Sequence, residues 1–178
     1  MKLPLQIYTE MYNKAFIKTD CWAPVNKRVE EILDYKNLYV AASAATQVPW
    51  DVIACIHSLE SDLSLTRHLH NGDPIFNRTV NAPAGRPLKG KPPFTWTDSC
   101  IDALSMIPKP DLWNLDWKLY FLESYNGFGY RKQGINSPYL WSMTNLYEKG
   151  KYVADGCYDP DYISQQIGAV ALLKNLLI

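Results

Sequence analysis

The stretch that decides the fold is residues 48–64, VPWDVIACIHSLESDLS. Its apolar side chains recur at helical spacing, which predicts a buried helix that begins at Pro49, since proline suits the first position of a helix. One carboxylate, Glu60, lies at the end of this apolar run. Apolar neighbours on the same helix partly desolvate such a carboxyl group and favour its neutral form. The alternative interpretation is a glutamate that is simply solvated at a helix end.

A long loop is predicted to follow this helix. Residues 62–93 are rich in proline and glycine, which leaves room for a short hairpin at most. The pair Asn71-Gly72 is typical of a tight turn. Such a turn would bring Asp73 back over the end of the Glu60 helix.

The other segments are predicted to be mainly helical. Their apolar periodicity and their start and stop residues define the helix bounds. The predicted helices are 26–45, 95–107, 111–126, 138–147 and 159–177. No internal repeat and no linker is visible. The sequence therefore predicts one domain, residues 1–178, of the mainly α class, with a long loop or a small β-hairpin after the Glu60 helix.

The composition excludes several classes of partner. Lys plus Arg and Asp plus Glu number 18 each, so no basic field exists to hold nucleic acid or an anionic membrane surface. No stretch has the length of a membrane span, and the N-terminal residues lack the apolar run of a secretory signal, so we expect synthesis in a cytoplasm. Cys55 and Cys100 fall in apolar helical patterns and are predicted to be buried thiols. The 6 Trp and 12 Tyr have amphipathic rings, which suit a partly solvated cleft.

The segment around Glu60 resembles the catalytic helix of the lysozyme-like superfamily, especially the lytic transglycosylases, in which a glutamate followed by serine ends an apolar helix. FLESYNGFGYR, residues 121–131, resembles the Tyr-Asn segment that lines the glycan cleft of the same families. More of the chain, about 48–173, resembles bacterial and phage cell-wall hydrolases. The elements that carry this broader resemblance are HLHNGDP, PAGRP, SPYLW, GKYVADG and QQIGAVALLK.

The resemblance implies a peptidoglycan glycosidase that cleaves the β-1,4 bond between N-acetylmuramic acid and N-acetylglucosamine. Glu60 would be the general acid, and Asp73 and Thr79 would hold the attacking water. The five residues between Asp73 and Thr79 match the spacing of phage-type lysozymes, whereas the twelve between Glu60 and Asp73 exceed it. Hydrolysis would invert the anomeric centre if the two carboxyls lie about 6.5–9.5 Å apart. The alternative role for Asp73 is to cap its own turn.

Further residues are assigned to substrate or to support on the same resemblance. Substrate-binding roles fall to His70, Tyr125, Asn126, Gly127, Tyr130 and Tyr139. Supporting roles fall to Ser61, to His57, one turn before Glu60, and to Glu123. Glu123 also ends an apolar helical run and is a rival acid, but we expect it to anchor the loop after Glu60. That loop would form one wall of a groove and the helical bundle the other.

Several alternatives stay open at this point. A lytic transglycosylase would use Glu60 without Asp73 and leave a 1,6-anhydro end, and a chitinase or chitosanase would act on a related polymer. A glycan-binding module would need no catalysis. His68, His70 and Asp73 could supply three zinc ligands, but no metal signature is present, and we expect no metal and no cofactor. The expected partner is the bacterial cell-wall glycan, reached in the periplasm after release by an unknown route, and the expected state is a monomer.

Overall fold

The computed structural model describes residues 5–154 and 156–176. Over this part of the chain the secondary structure is helical apart from one small antiparallel hairpin, which confirms the mainly α prediction. The helices are α1 (Ile7–Lys14), a 3-10 turn (Thr19–Cys21), α2 (Trp22–Asp34), α3 (Lys36–Thr46), α4 (Trp50–Ser61), α5 (Trp96–Ser105), α6 (Leu115–Asn126), α7 (Gly129–Lys132), α8 (Pro138–Trp141) and α9 (Ala169–Leu176). The strands are β1 (Lys151–Ala154) and β2 (Cys157–Asp159).

The chain divides into two compact units. The first combines the residues up to Val29 with those from Pro110 onward, and the second is Glu30–Lys109. The boundary falls within α2. The single-domain assignment stays a prediction.

The second unit is built around α4. This helix packs against α3, which in turn packs against α5. Nearly every side chain of α4 is buried, as its apolar periodicity predicts. Tyr39 from α3 and Trp96 from α5 both contact the ring of His57 on α4. An aromatic cluster therefore holds the three helices together on one side.

In the first unit, α6 packs against α1 and α8, and α8 packs against α9. The approach of α9 to α8 is very close, because a Cβ at Gly168 would lie 2.6 Å from the carbonyl oxygen of Leu140. In the hairpin, Lys151 pairs with Asp159 and Tyr152 with Tyr158, and the register shifts before Ala154.

The start of α5 is fixed by reciprocal hydrogen bonds between Thr95 and Asp98. Thr95 accepts a bond from the backbone N–H of Asp98, whose carboxylate accepts from the N–H of Thr95. This capping box confirms the predicted start of α5. Cys55 and Cys100 are buried free thiols, as predicted, and burial raises the pKa of Cys100 to about 12.

The predicted helix 26–45 is wrong in one respect, because α2 and α3 are separate helices. Tyr35 lies between them with φ −97° and ψ 7°. Ile32 and Tyr39, on either side, are both fully buried. The apolar periodicity continues across the break and therefore hides it.

The predicted starts and ends of three later helices are corrected. Asn114 and not Asp111 caps α6, because its side chain accepts a bond from the N–H of Trp117. The helix that begins at Pro138 ends at Trp141, well before residue 147.

The last predicted helix, 159–177, begins ten residues late, at Ala169, and its predicted end lies outside the described residues. Asp159 belongs to β2, and its carboxylate accepts bonds from the N–H groups of Asp161 and Tyr162. The Asp-Pro signal therefore marks a turn after a strand.

The loop after α4 is present as predicted, with one isolated bridge between Arg67 and Pro74. The hairpin of this fold is elsewhere, at 151–159. None of the helices formed by the described residues has the length and apolar character needed to cross a bilayer.

Candidate functional site

Glu60 lies in the last turn of α4 and is half-buried. Its apolar helix neighbours Ile56 and Leu59 are buried. The helix stops directly after it, because Asp62 and Leu63 both adopt left-handed backbone conformations, with φ 52° and 60°. Glu60 is therefore neither sealed in the core nor fully exposed.

The loop returns to the end of this helix, as the Asn71-Gly72 pair predicts. A Cβ at Gly72 would lie 2.6 Å from the main-chain carbonyl oxygen of Glu60. Gly72 also has φ +76°, which favours glycine. The turn that precedes Asp73 therefore contacts the backbone of the proposed acid.

Asp73 is buried, and its carboxylate is occupied by the loop that follows it. One oxygen accepts bonds from the backbone N–H groups of Val80 (2.8 Å) and Asn81 (2.9 Å). The same oxygen accepts a third bond from the side-chain amide of Asn71 at 3.2 Å. The other oxygen accepts one bond, from the side-chain amide of Asn81 at 2.6 Å. Burial alone would raise the pKa of Asp73, but these bonds outweigh it and hold the pKa below its ordinary value. The geometry is that of a residue that fixes its own loop.

Thr79 is buried in the same loop and is equally engaged. Its hydroxyl donates to the carbonyl of Pro83 and accepts from the N–H of Arg86 at 2.9 Å. Its backbone N–H donates to the carbonyl of Arg86. The structure thus places Asp73 and Thr79 in one loop network, whereas their predicted water-holding role stays a prediction.

The two predicted supporting residues on α4 lie beneath the end of the helix. His57 is fully buried, with Nδ1 2.9 Å from the hydroxyl of Tyr39 and Nε2 3.2 Å from the carbonyl of Ser64. The hydroxyl of Ser61 donates to the carbonyl of His57. Both residues stabilise the sharp turn that ends the helix at Glu60.

His70, which is predicted to bind sugar, is bonded to residues of its own unit, and its sugar-binding role stays a prediction. Its Nε2 lies 2.9 Å from a carboxylate oxygen of Asp102, and its Nδ1 lies 3.3 Å from the hydroxyl of Ser99. Both ring nitrogens are therefore engaged inside the unit, and the ring is buried. Burial lowers the pKa of His70, and the neighbouring Asp102 offsets only part of that effect. Asp102 also pairs with Arg86 at 2.8 Å.

His68 joins the same network. Its Nδ1 lies 2.9 Å from the Ser99 hydroxyl and its Nε2 lies 2.7 Å from the carbonyl of Asn77. The nitrogens that the zinc alternative needs are thus bonded within the protein. Across the residues described, no group of three or more His, Cys, Asp or Glu is arranged to hold a metal ion.

Glu123 supports its own unit and not the predicted segment. Its carboxylate accepts two bonds from Arg131, each 3.0 Å, and one from the hydroxyl of Tyr8. Glu123 therefore links α6 to α7 and α1. The sequence analysis predicts instead that Glu123 anchors the loop after Glu60. Burial and the Glu123 carboxylate raise the pKa of Tyr8, and the bonds that Arg131 donates to Glu123 raise the pKa of Arg131.

A pocket of about 420 Å³ lies within the first unit. This volume is within the range of about 300–1,000 Å³ that small-molecule sites occupy. Four of the residues predicted to bind sugar line it: Asn126, Gly127, Tyr130 and Tyr139. Tyr125 precedes this lining, and His70 belongs to the second unit.

A scan against protein-family models and searches of curated proteins and of solved structures find no significant match to this chain.

Sequence reasoning missed the part of the pocket that the hairpin supplies. Lys151, Tyr152 and Ala154 line it from β1, and Gly129 and Gln166 complete its wall. Residues 151–159 carry an Asp-Gly pair between two short runs, which is the strongest short-range hairpin signal. That signal would have placed Lys151 and Tyr152 on a strand.

Proposed function

We propose that this protein is a peptidoglycan glycosidase that cleaves the bond between N-acetylmuramic acid and N-acetylglucosamine, with Glu60 as general acid. The observation that carries the proposal is the pocket of the first unit. Residues assigned to sugar from two separate segments line one cavity of suitable volume: Asn126, Gly127 and Tyr130 come from residues 121–131, and Tyr139 comes from SPYLW. Tyrosine faces and amide groups are suited to stacking on a sugar ring and to bonding its N-acetyl group.

Glu60 supports the proposal from the second unit. A glycosidase acid must remain protonated until the leaving oxygen takes its proton, which a partly desolvated position favours. Glu60 has such a position, half-buried at the end of the apolar helix α4. Gly72 fixes the backbone of that helix end from the loop side. The acid is thus carried by a rigid element, as a proton donor requires.

The state of Asp73 favours one of the two possible reactions. A hydrolase needs a second group to orient water, whereas a lytic transglycosylase does not. The Asp73 carboxylate accepts four N–H bonds from its own loop, and Thr79 is bonded in the same network. Three of these bonds fall on one carboxylate oxygen and one on the other, so most of the roughly four acceptor sites of a carboxylate serve the loop. This favours the transglycosylase.

In that reaction Glu60 gives its proton to the glycosidic oxygen as the bond from C1 of the muramic acid breaks. The C6 hydroxyl of the same sugar then bonds to C1, and its proton returns to the Glu60 carboxylate. No water is consumed, and the product carries a 1,6-anhydro end.

Replacement of the acid tests the proposal. Glu60→Gln should lower the rate of turbidity loss of outer-membrane-permeabilised bacteria by at least about 100-fold, the size of a typical general-acid contribution. Glu30→Gln, at an exposed glutamate of α2, is the matched control and should leave the rate unchanged. If Glu60→Gln remains fully active while folded, the enzyme proposal is wrong and a glycan-binding module takes its place.

Product analysis separates the two reactions. Digested sacculi are reduced with borohydride and the fragments are weighed by mass spectrometry. Reducing ends take up hydrogen, whereas anhydro ends do not. Anhydro products support the transglycosylase. Reduced ends would instead support a hydrolase in which Asp73 and Thr79 hold the attacking water. Chitin and chitosan offered in parallel test the related substrates.

A further inference from the structure

The lining of the pocket in the first unit contains a single charged residue among those described. That residue is Lys151, and the remaining lining is tyrosine, amide, glycine and other uncharged residues. An uncompensated cation in a sugar-sized pocket favours a ligand that carries a negative charge.

The ammonium group of Lys151 is not neutralised by the described residues around it. Across the hairpin it pairs in register with Asp159, but the Asp159 carboxylate accepts backbone bonds from the following turn. Its Nζ lies 5.8 Å from the ring centroid of Tyr162, a cation–π distance that leaves the charge in place. The nearby Lys149, by contrast, pairs with Asp161 at 2.6 Å.

The wall beside Lys151 is rigid and aromatic. The ring centroids of Tyr130 and Tyr152 are 5.2 Å apart in an edge-on arrangement, and the N–H of Tyr152 donates to the Tyr130 hydroxyl at 3.2 Å. Gln133 donates to the Tyr152 hydroxyl at 3.0 Å. Lys151 therefore lies at the start of a strand whose next residue is held from both ends.

Three arginines that could serve the same purpose do not line the pocket, and two of them are ion-paired. Arg131 binds Glu123, and Arg86 binds Asp102. Arg78 donates to the carbonyl of Gly90 and lies over the ring of Phe94. Lys151 is thus the cation of the pocket lining, and no carboxylate among the described residues forms an ion pair with it.

We propose that this pocket selects the muramic acid unit over N-acetylglucosamine because Lys151 binds a carboxylate that only the former carries. This inference rests on the proposed function and deepens it. The carboxylate is either the free lactyl group of a peptide-free glycan or a carboxylate of the stem peptide. Both present the same chemistry to the ammonium group.

Equilibrium binding measured by calorimetry tests the inference. The ligands are a neutral N-acetylglucosamine tetramer, a peptide-free muramic acid tetrasaccharide and the same glycan with its stem peptide. Glu60→Gln is the background for all proteins, so that no ligand is consumed. Lys151→Met keeps the length of the side chain and removes its charge, Lys151→Arg keeps the charge, and Lys149→Met is the matched control.

We expect Lys151→Met to weaken binding of a muramic acid ligand about tenfold and to leave the neutral tetramer within twofold. Lys151→Arg should retain most of the affinity, and Lys149→Met all of it. A loss with the peptide-free ligand alone identifies the lactyl carboxylate, and a loss with the peptide-bearing ligand alone identifies the stem peptide. A loss with both shows that Lys151 binds either carboxylate. Equal losses for neutral and acidic ligands, or no loss for any, would overturn the inference.

The two proposals fail in different ways. If the wild-type protein produces murein fragments and Lys151→Met binds muramic acid ligands normally, only the role of Lys151 is wrong. If the wild-type protein neither cuts murein nor binds any of the three ligands, the proposed function is wrong and the inference falls with it.

Discussion

Gly72 and Glu60 meet through their main chains: a Cβ at position 72 would lie 2.6 Å from the carbonyl oxygen of Glu60. Real Cβ atoms essentially never come this close to another heavy atom. The loop that carries Asp73 is thus in contact with the helix end that carries the proposed acid. Any side chain at 72 must push the two apart.

Gly72→Ala should therefore reduce both stability and murein cleavage. Gly85→Ala is a matched control, since Gly85 has nearly the same φ, +78° against +76°, but its added Cβ meets nothing within 4 Å. We expect Gly85→Ala to cost only the left-handed strain, about 1–2 kcal/mol, and to keep the specific activity of the folded protein. Gly72→Ala should cost more in urea unfolding and lower the activity at least tenfold. Equal behaviour of the two variants would contradict this reasoning.

Asp73→Asn tests whether that carboxylate holds a loop or a water. The amide cannot accept all four N–H bonds that the carboxylate accepts, so one or more buried donors lose their partner. We expect the free energy of unfolding to fall by about 1–3 kcal/mol. The anhydro character of the products should persist, at a lower rate. A variant of unchanged stability that no longer releases reducing ends would instead assign Asp73 to the water.

His70 should make stability depend on pH. Because burial holds its pKa in the folded protein below the ordinary value of 6.5, protonation favours the unfolded chain. The contribution of neutral His70 to the free energy of unfolding is fully present above pH 6.5. It is lost as the pH falls through the pKa that His70 has in the folded protein. The slope should not exceed about 1.4 kcal/mol per pH unit.

Urea unfolding measured from pH 7.5 to 5 on the wild-type protein and on His70→Gln checks this expectation. The variant is less stable at neutral pH, because Asp102 loses a bond, but its stability should fall less steeply with acidification. Parallel curves for the two proteins would show that His70 does not titrate in this way.

The pair of Glu123 and Arg131 should behave as a buried ion pair. Their side chains are 7% and 19% exposed, so Arg131→Met leaves a carboxylate in the interior with only Tyr8 as partner. We expect a loss of about 3–5 kcal/mol in the free energy of unfolding. The double variant Glu123→Gln/Arg131→Met should recover part of that loss, because no charge is then left unpaired.

Lys149→Met, which breaks the fully exposed pair with Asp161, is the control and should leave the free energy nearly unchanged. Should Arg131→Met be as mild as Lys149→Met, Glu123 would not be the support of α1 and α7 that its bonds indicate.

Structural features that depend on a strong local sequence pattern could be predicted from the sequence. The apolar face of α4, the capping box of Thr95 and Asp98, and the turn at Gly72 all appear where the sequence places them. Each depends on neighbours within a few residues. A break such as Tyr35 keeps the periodicity on both sides and could not be seen.

The roles of the polar residues were harder to predict, because they depend on distant partners. His70 is bonded to Asp102, 32 residues away, and Glu123 to Tyr8, 115 residues away. A sequence shows that such residues can form hydrogen bonds or ion pairs, but it does not show which distant residue is the partner. The pocket was only half predicted for the same reason, since Lys151 and Tyr152 lie in an element of the resemblance, GKYVADG, to which no site role was assigned.

The first unit is assembled from two separate stretches of chain, with the whole of Glu30–Lys109 between them. During synthesis on the ribosome, the second unit is available as one continuous stretch, whereas α1 must wait for α6 before Tyr8 meets Glu123. The nascent chain therefore carries the proposed acid before the pocket of the first unit can form.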